Sequence, residues 1–369
     1  MFIHTFETTI QLTNGQYYQI QNQIKSDHQW GRTQNGMLYF GAKNDGIRLR
    51  FTRIHKSKFK GYRLKYIISA RRVLEPENYV GLFPAHEYKR LCDAIDKKLA
   101  ALCPALPSIN ECSVTRIDFC INARLDNQEQ VKAYVKLAKR CRLPKSLEFE
   151  REYYDKKDKK TKLCKDGMTA SSESYIAISI YNKYAQMCKQ TGYAYPAGQL
   201  DKAKNILRIE IRCMEDKIKH LRKRYQEQFA LYSIKDFLRH ADEIGDYLYS
   251  YYLGKMFCNG DFYTLKGARK RVKMGELDKE TEEAMLDLLE EANGSRSLQK
   301  ACSLFAHAYS KKYVKRLLAK FDLIITSPVT VPREIQKIFG DEQIPHPLML
   351  ASEWKDNPVE TNAGQTDAR

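Results

Sequence analysis

The sequence predicts an α+β protein: an antiparallel sheet packed with helices, followed by a mainly helical C-terminal domain. Three observations carry this expectation. Short segments with two-residue alternation, Val114 to Asn122, Tyr175 to Lys183 and Leu207 to Cys213, are interspersed with stretches of helical spacing. Beyond Glu215 the apolar positions recur at helical spacing. At 369 residues the chain exceeds the roughly 250–300 at which single cores stop growing, so more than one compact unit is expected. The expected organisation is two halves of one sheet-based region, 1–110 and 111–225, then a helical domain, 226–330. A C-terminal extension, 331–369, follows, its polar end from Lys355 to Arg369 expected to be disordered.

Taken in order, the first part reads as β-rich. Asn14-Gly15 is a hairpin signal, and Gly46 to Ile54 and Tyr62 to Ala70 alternate on either side of a basic turn ending at Gly61. In that pair Ile47, Leu49, Phe51, Leu64, Tyr66 and Ile68 share an apolar face, while Arg48, Arg50, Arg63 and Lys65 share the other. Such a face is either simply solvated or a groove that tracks phosphates. Leu91, Ile95 and Leu99, between Pro84 and Pro104, predict an amphipathic helix over Ala85 to Leu102. A second helix is expected to start with Asp126 as its cap and to run through Val131, Tyr134, Val135 and Ala138.

Cys141 to Ser174 carries Lys156, Lys157, Lys159, Lys160, Lys162 and Lys165 without apolar periodicity, and reads as a mobile basic loop or ribbon able to clamp DNA. Helices are expected around Ile218, Leu221 and Tyr225, around Met285, Leu288 and Leu289, and from Leu298 to Tyr313. Asn293-Gly294 reads as a hairpin between two of them rather than part of a helix-turn-helix.

The three alternating segments also carry the chemistry. In the first, Ile117, Phe119 and Ile121 point one way and Arg116, Asp118 and Asn122 the other. The second sets Ile176, Ile178 and Ile180 against Tyr175, Ser179 and Tyr181, with Asn182 and Lys183 at its end. The third sets Leu207, Ile209, Ile211 and Cys213 against Arg208, Glu210 and Arg212. Two carboxylates on rigid strands supply hard oxygen ligands for Mg²⁺ or Mn²⁺, which polarises a phosphoryl oxygen. A tyrosine is a weak nucleophile in neutral form, so Tyr181 needs a cation, and Lys183 is the candidate. Tyr184 and Tyr225 compete with Tyr181 among the 24 tyrosines.

Charge and cysteine usage narrow the class. The 63 Lys and Arg against 45 Asp and Glu leave +18, which favours a polyanionic partner. Ten dispersed cysteines with no Cys-x-x-Cys pair argue for reduced, buried thiols and against a zinc site or disulfide framework. Eight dispersed histidines imply that any metal is held by oxygen. Met1 to Gln11 lacks a signal-peptide pattern and no apolar run approaches the roughly 18 residues of a membrane helix. A soluble protein of the cytoplasm, with no membrane partner, is expected.

Thr115-Arg116-Ile117-Asp118, Ile180-Tyr181-Asn182-Lys183 and Leu207-Arg208-Ile209-Glu210-Ile211, in that order, resemble the replication initiation proteins of rolling-circle phages and plasmids. The nearest likeness is to the gene II/X replication proteins of filamentous phages, with a more distant one to staphylococcal plasmid initiators and conjugative relaxases. It spans Thr115 to Lys223, and Tyr62 to Leu102 faintly. The resemblance implies a relaxase-like sheet domain, Tyr181 as nicking nucleophile, and Asp118 and Glu210 as ligands of Mg²⁺ or Mn²⁺. Some plasmid relatives have a second aspartate where this chain has Asn122, so a third carboxylate ligand is missing or replaced.

The expected activity is site-specific DNA nicking and closing through a 5′-phosphotyrosine. Arg48, Arg50, Arg63, Lys65, Arg116, Arg208 and Arg212 are expected to contact double- and single-stranded origin DNA, with a host helicase and polymerase as further partners. A conjugative relaxase and a non-catalytic origin-binding protein are the alternatives. An RNA-binding or membrane-surface protein has only charge in its favour.

Overall fold

The computed structural model describes the chain apart from residues 25–29, 33–37, 41–45, 55–59, 145–146, 150–151, 156–159, 164, 190–194, 340–342 and 348–369. Lys156, Lys157 and Lys159 of the expected basic loop, and the expected disordered end from Lys355, lie outside the described residues. The chain forms two compact units, Met1–Met256 and Phe257–Arg369.

In the first unit the strands are β1 (Phe2–Leu12), β2 (Trp30–Arg32), β3 (Leu38–Phe40), β4 (Ile47–Ile54), β5 (Gly61–Ser69), β6 (Phe83–Pro84), β7 (Ser113–Arg124), β8 (Glu148–Phe149), β9 (Glu152–Asp155), β10 (Lys160–Leu163), β11 (Gly167–Ser172), β12 (Ile176–Asn182) and β13 (Ile206–Cys213). The helices are α1 (Asn14–Gln23), α2 (Ala70–Leu74), α3 (Tyr88–Leu102), α4 (Gln128–Ala138), α5 (Lys183–Lys189), α6 (Gln199–Ala203), α7 (Glu215–Tyr225), α8 (Ile234–Arg239) and α9 (Ala241–Phe257). One sheet runs β2-β3-β4-β5-β1-β7-β13-β12-β11-β8, with β6 also on β1, and its pairings are antiparallel. β9 and β10 form a separate ribbon. The α+β class with an antiparallel sheet is therefore the observed one.

Register follows the alternation. Ile117 pairs with Cys213, Phe119 with Ile211 and Ile121 with Ile209, and Ile178 and Ile180 continue the row on β12. Together with Ile3, Phe6, Leu64, Tyr66 and Ile68 these side chains are buried, each worth about 1.5–3 kcal/mol on leaving water. α4 packs against β11, β12 and β13, and α7 against β7 and β13. The α9 residue Tyr249 donates its hydroxyl to the carbonyls of Phe119 (3.1 Å) and Ile209 (2.9 Å).

Three expectations are corrected. Asn14-Gly15 opens α1 rather than a hairpin, because Thr13 caps it: the Thr13 hydroxyl accepts from Gln16 N–H while Gln16 Oε1 accepts from Thr13 N–H. The cap of α4 is Asn127, whose Oδ1 accepts from Gln130 N–H, and Asp126 instead binds the Gln130 side chain. The boundary expected after residue 225 lies at Met256, since α8 and α9 belong to the sheet unit.

The second unit is helical, with α10 (Leu265–Lys273), α11 (Lys279–Gly294), α12 (Leu298–Ala308), α13 (Lys311–Leu323) and α14 (Arg333–Phe339), plus β14 (Phe262–Tyr263) paired with β15 (Gln343–Ile344). Thr264, Asp278, Ser297 and Ser310 cap α10 to α13 with their side-chain oxygens, each cap worth about 1 kcal/mol. Asn293-Gly294 ends α11 in a helical hairpin with α12. Phe257–Arg369 has 17 Lys and Arg against 17 Asp and Glu, so the whole excess of +18 resides in residues 1–256.

Candidate active site

Alternation sends Arg116, Asp118, Cys120 and Asn122 of β7 to the face opposite the hydrocarbon core. Cross-strand pairing aligns Asp118 with Arg212, Cys120 with Glu210 and Asn122 with Arg208 on β13, then Glu210 with Ser179 and Arg208 with Tyr181 on β12. That face is not an open surface at its centre: Asp118, Asn122, Arg208 and Glu210 are buried. Arg208 is fully enclosed, its Nε donating to Asn122 Oδ1 at 2.7 Å and its Nη2 to the Val80 carbonyl, which also accepts from Asn122 Nδ2 at 3.1 Å. Val80 packs in turn with Met187, Ala203 and Ile206, flanked by Tyr79, Tyr184 and Tyr195.

Asp118 and Glu210 come together as expected from sequence, and a third donor joins them. His4, Asp118 and Glu210 offer ligand atoms within 4.8 Å of one another. His4 arrives through a bulge: Ile3 pairs with Phe119 but Phe6 with Ile117, so β1 fits one more residue than β7 between the two contacts. Its Nδ1 faces Glu210 Oε2 at 3.5 Å, and that buried nitrogen makes no hydrogen bond. Beside the two oxygen donors expected from sequence, the group therefore contains an imidazole nitrogen, a set that would take Mn²⁺ or Mg²⁺.

Arginines balance the carboxylates. Arg116 forks onto Asp118 through Nε to Oδ1 (2.8 Å) and Nη2 to Oδ2 (2.5 Å), and its Nη1 reaches Glu7 Oε1 at 3.0 Å. Arg212 Nη2 donates to Glu210 Oε1 at 3.1 Å, with its Nε 3.5 Å from Asp118 Oδ1. Burial and the neighbouring Glu210 push Asp118 up to about 6, against the pull of Arg116 and Arg212, leaving it ionised at neutral pH. Burial opposes ionisation of Glu210 as well, but His4, Arg212 and Arg208 outweigh it and hold Glu210 below the usual carboxylate range.

Tyr181, partly buried, donates its hydroxyl to Glu210 Oε2 at 3.3 Å, which ties the phenol to the donor cluster. Burial and the Glu210 charge raise its pKa well above the ordinary phenol value, and Arg208 opposes them. The Arg208 Nη1 is buried with no hydrogen-bond partner. The cation next to the phenol is therefore Arg208 rather than Lys183. Lys183 opens α5 as a buried side chain, its Nζ donating to Gln186 Oε1 at 3.0 Å, and burial with Arg208 nearby pushes its pKa well below the usual lysine value. Of the competing tyrosines, Tyr184 packs on the Val80 cluster, and Tyr225 is buried, stacks on Phe229 and donates to the Glu243 carbonyl.

The expected DNA-contacting cations divide into three groups. Arg48, Arg50 and Arg63 are exposed, with Arg50 opposite Lys65 and Tyr39, and Arg63 opposite Thr52. Lys65 is committed to Glu7 at 2.7 Å, while Arg116 and Arg212 border the carboxylates with part of each side chain in solvent. Arg208 has no surface to offer DNA, because it is occupied holding Asn122 and Val80. Sequence reading missed His4, since the bulge breaks the alternation that signalled the other strands.

No protein-family model matches the chain, and no curated protein does. Among solved structures, the Rolling Circle Replication Initiator Protein from Geobacillus stearothermophilus is similar over 68% of this chain and 84% of its own, at 14% identity and a TM-score of 0.32. The di-domain ARO/CYC BexL from the BE-7585A biosynthetic pathway is similar over 66% of this chain and 95% of its own, at 10% identity and a TM-score of 0.20.

Proposed function

We propose that the protein starts rolling-circle DNA replication by nicking and reclosing one strand at an origin, with Tyr181 as nucleophile. The observation that carries this reading is the phenol of Tyr181 hydrogen-bonded to Glu210, itself part of the His4, Asp118 and Glu210 donor cluster. The motif order Arg-Ile-Asp, Ile-Tyr-Asn-Lys and Arg-Ile-Glu supports it independently. His4, Asp118 and Glu210 would hold Mn²⁺ or Mg²⁺, which when bound polarises the scissile phosphate. Arg116 does not preclude this, since each carboxylate oxygen keeps a second lone pair.

Tyr181 Oη bonds to phosphorus as the bond from phosphorus to O3′ breaks, giving a 5′-phosphotyrosine and a free 3′-hydroxyl. The phenol proton leaves along its hydrogen bond to Glu210 and passes on to water, since that carboxyl does not retain it, and the departing O3′ takes up a proton from water. Arg208 Nη1 stabilises the phenolate, so that the raised phenol pKa is met by a partner aligned before reaction. Because the link retains the phosphodiester bond energy, the reverse attack by a 3′-hydroxyl closes the strand and restores Tyr181. Asn122 orients Arg208 in place of serving as a ligand. Lys183, whose charge burial and the nearby Arg208 disfavour, positions the start of α5 beside Tyr181. Arg48, Arg50 and Arg63, with the exposed parts of Arg116 and Arg212, attract the DNA backbone along the same face. The 3′-hydroxyl would then prime a host polymerase, with a helicase opening the duplex ahead of it.

The test is supercoiled plasmid carrying the native origin, mixed with wild-type or Tyr181→Phe protein and Mn²⁺ or Mg²⁺, then treated with protease. Wild type is expected to leave nicked and relaxed circles with a peptide on the 5′ end, and Tyr181→Phe none. Nicking by both proteins moves the chemistry to another residue. Origin binding without nicking by either leaves a non-catalytic origin-binding protein.

A further inference from the structure

The second unit is electrically neutral as a whole, yet one of its faces is built unlike the rest. Phe305, Tyr309 and Tyr313 follow at four-residue intervals across the junction of α12 and α13. Their rings form a ladder, with centroids 5.8 Å apart for Phe305 and Tyr309 and 4.9 Å for Tyr309 and Tyr313, the latter pair stacked at 28°. Tyr309 is 63% exposed, so its ring is not consumed by the core. Arg316 lies over Tyr313 at 5.9 Å from the ring centroid.

Cations line the same helix. Lys311, Lys312, Lys315 and Arg316 are all exposed, and among the described residues none is in an ion pair. Six of the 17 acids of this unit lie on α11, at Glu280, Glu282, Glu283, Asp287, Glu290 and Glu291, while α13 carries only Asp322, near its end. Of these, Glu280 approaches Tyr313, whose hydroxyl is raised by burial, Tyr309 and Glu280. Lys312 and Arg316 are one helical turn apart on the flank turned away from the buried Val314, Leu317, Leu318 and Phe321.

We propose that this face binds single-stranded nucleic acid, with unpaired bases continuing the Tyr309–Tyr313 stack and Lys312 and Arg316 meeting the phosphates. Charge selects a polyanion, and the exposed ring stack selects one whose bases are free to unstack from a partner strand. A duplex offers phosphates but no base faces, so it uses only the cations. The site uses none of the residues of the Tyr181 cluster, and it needs no metal.

The experiment uses the full chain and a fluorescein-labelled mixed-sequence single-stranded oligonucleotide in EDTA, read by anisotropy, with the matching duplex alongside. Tyr309→Ala with Tyr313→Ala is expected to weaken single-strand binding about tenfold or more, and duplex binding less than about twofold. The corresponding Tyr→Phe pair keeps the rings and stays within about twofold of wild type, which separates stacking from misfolding. Lys312→Glu with Arg316→Glu weakens binding and flattens its salt dependence. Hydrogen exchange of wild type with the oligonucleotide bound slows in α12 and α13.

Single-strand binding by the alanine pair within twofold of wild type overturns the proposal, as does an absence of protection in α12 and α13. An oligomer that dissociates on Tyr309→Ala with oligonucleotide binding unchanged overturns it in favour of a contact between copies. Nicking is scored separately on plasmid, so a chain that binds here and nicks nothing counts against the nicking reading alone.

Discussion

The two faces of the β1-β7-β13-β12 sheet are both buried, but they are buried by opposite means. On one, Ile117, Phe119, Ile209, Ile211, Ile178 and Ile180 exclude water with hydrocarbon and leave no polar side chain to satisfy. On the other, Asp118, Glu210, Arg208 and Asn122 are enclosed, and each must be met by a partner of matching charge or hydrogen-bond sense. The matching is incomplete where reaction is proposed. His4 Nδ1, Arg208 Nη1 and Arg212 Nε are buried without hydrogen bonds, and all three lie at the Tyr181 cluster. A fold that sought only stability would not enclose so many half-satisfied charges, since well-packed apolar residues do that work at least as well. The difference therefore separates what makes the sheet from what the sheet holds.

The largest expected effect sharpens that separation from the apolar side. Phe119→Ala should cost about 3–5 kcal/mol in denaturant unfolding, while the folded fraction still binds Mn²⁺ in calorimetry. The polar side should behave in reverse. Loss of an outer-sphere partner typically weakens metal binding about 10–100-fold, so Asp118→Ala or Glu210→Ala, which delete donors, should exceed about a hundredfold. His4→Ala should lose the Mn²⁺-induced rise in melting temperature and lower the metal-free value as well, because its Nδ1 faces Glu210 Oε2 at 3.5 Å and helps keep that carboxylate ionised. Equal Mn²⁺ affinity in all three variants would remove the metal centre from this face.

Arg208 tests whether enclosure of charge serves the fold or the chemistry. Arg208→Met leaves Asn122 Oδ1 without its donor and the Val80 carbonyl with Asn122 Nδ2 alone, which should cost about 1–3 kcal/mol. Adding Asn122→Leu removes that stranded oxygen, at the cost of the last donor to the Val80 carbonyl, and should recover at most part of the loss. Plasmid nicking should stay abolished in the double variant despite its recovered stability. Recovered nicking would show that Arg208 serves packing alone.

Much of this site was legible because strand alternation is a rigid code. Period alone sets Asp118, Tyr181 and Glu210 each opposite an apolar stripe, and the register of β7, β13 and β12 brings them to one face. His4 was not legible, because the extra residue between Ile3 and Phe6 breaks the period and only the paired strand shows where the break falls. Arg208, expected on the DNA-contacting surface, is enclosed for a related reason: alternation tells which face a side chain takes, not whether the Val80 segment covers it. At Asn14-Gly15 two local signals competed, and the reciprocal Thr13 and Gln16 capping bonds won over the turn preference. The total of +18 gives no hint that Phe257–Arg369 is neutral overall, because the boundary between the two units is not marked in the sequence.

The smallest effect lies at the rim of the polar face, where Glu7 accepts from Lys65 at 2.7 Å and from Arg116 at 3.0 Å. Burial pushes Glu7 up, but the hydrogen bonds and charges of Lys65 and Arg116 outweigh it and hold the carboxyl below its ordinary 4.5. A folded value below the unfolded one means that the contribution is complete above the unfolded value and is lost as pH falls through the folded one. Glu7→Gln should therefore be less stable than wild type at pH 7, with the gap narrowing as the two proteins are unfolded in denaturant at successively lower pH below about 4.5. Lys65→Ala should cost no more than about 1 kcal/mol, since that ammonium is more than a third exposed and screened by solvent. A Glu7→Gln gap that stays constant through the acid range would mean that Glu7 contributes through shape, and that the charge balance of this face is confined to Asp118, Glu210 and their arginines.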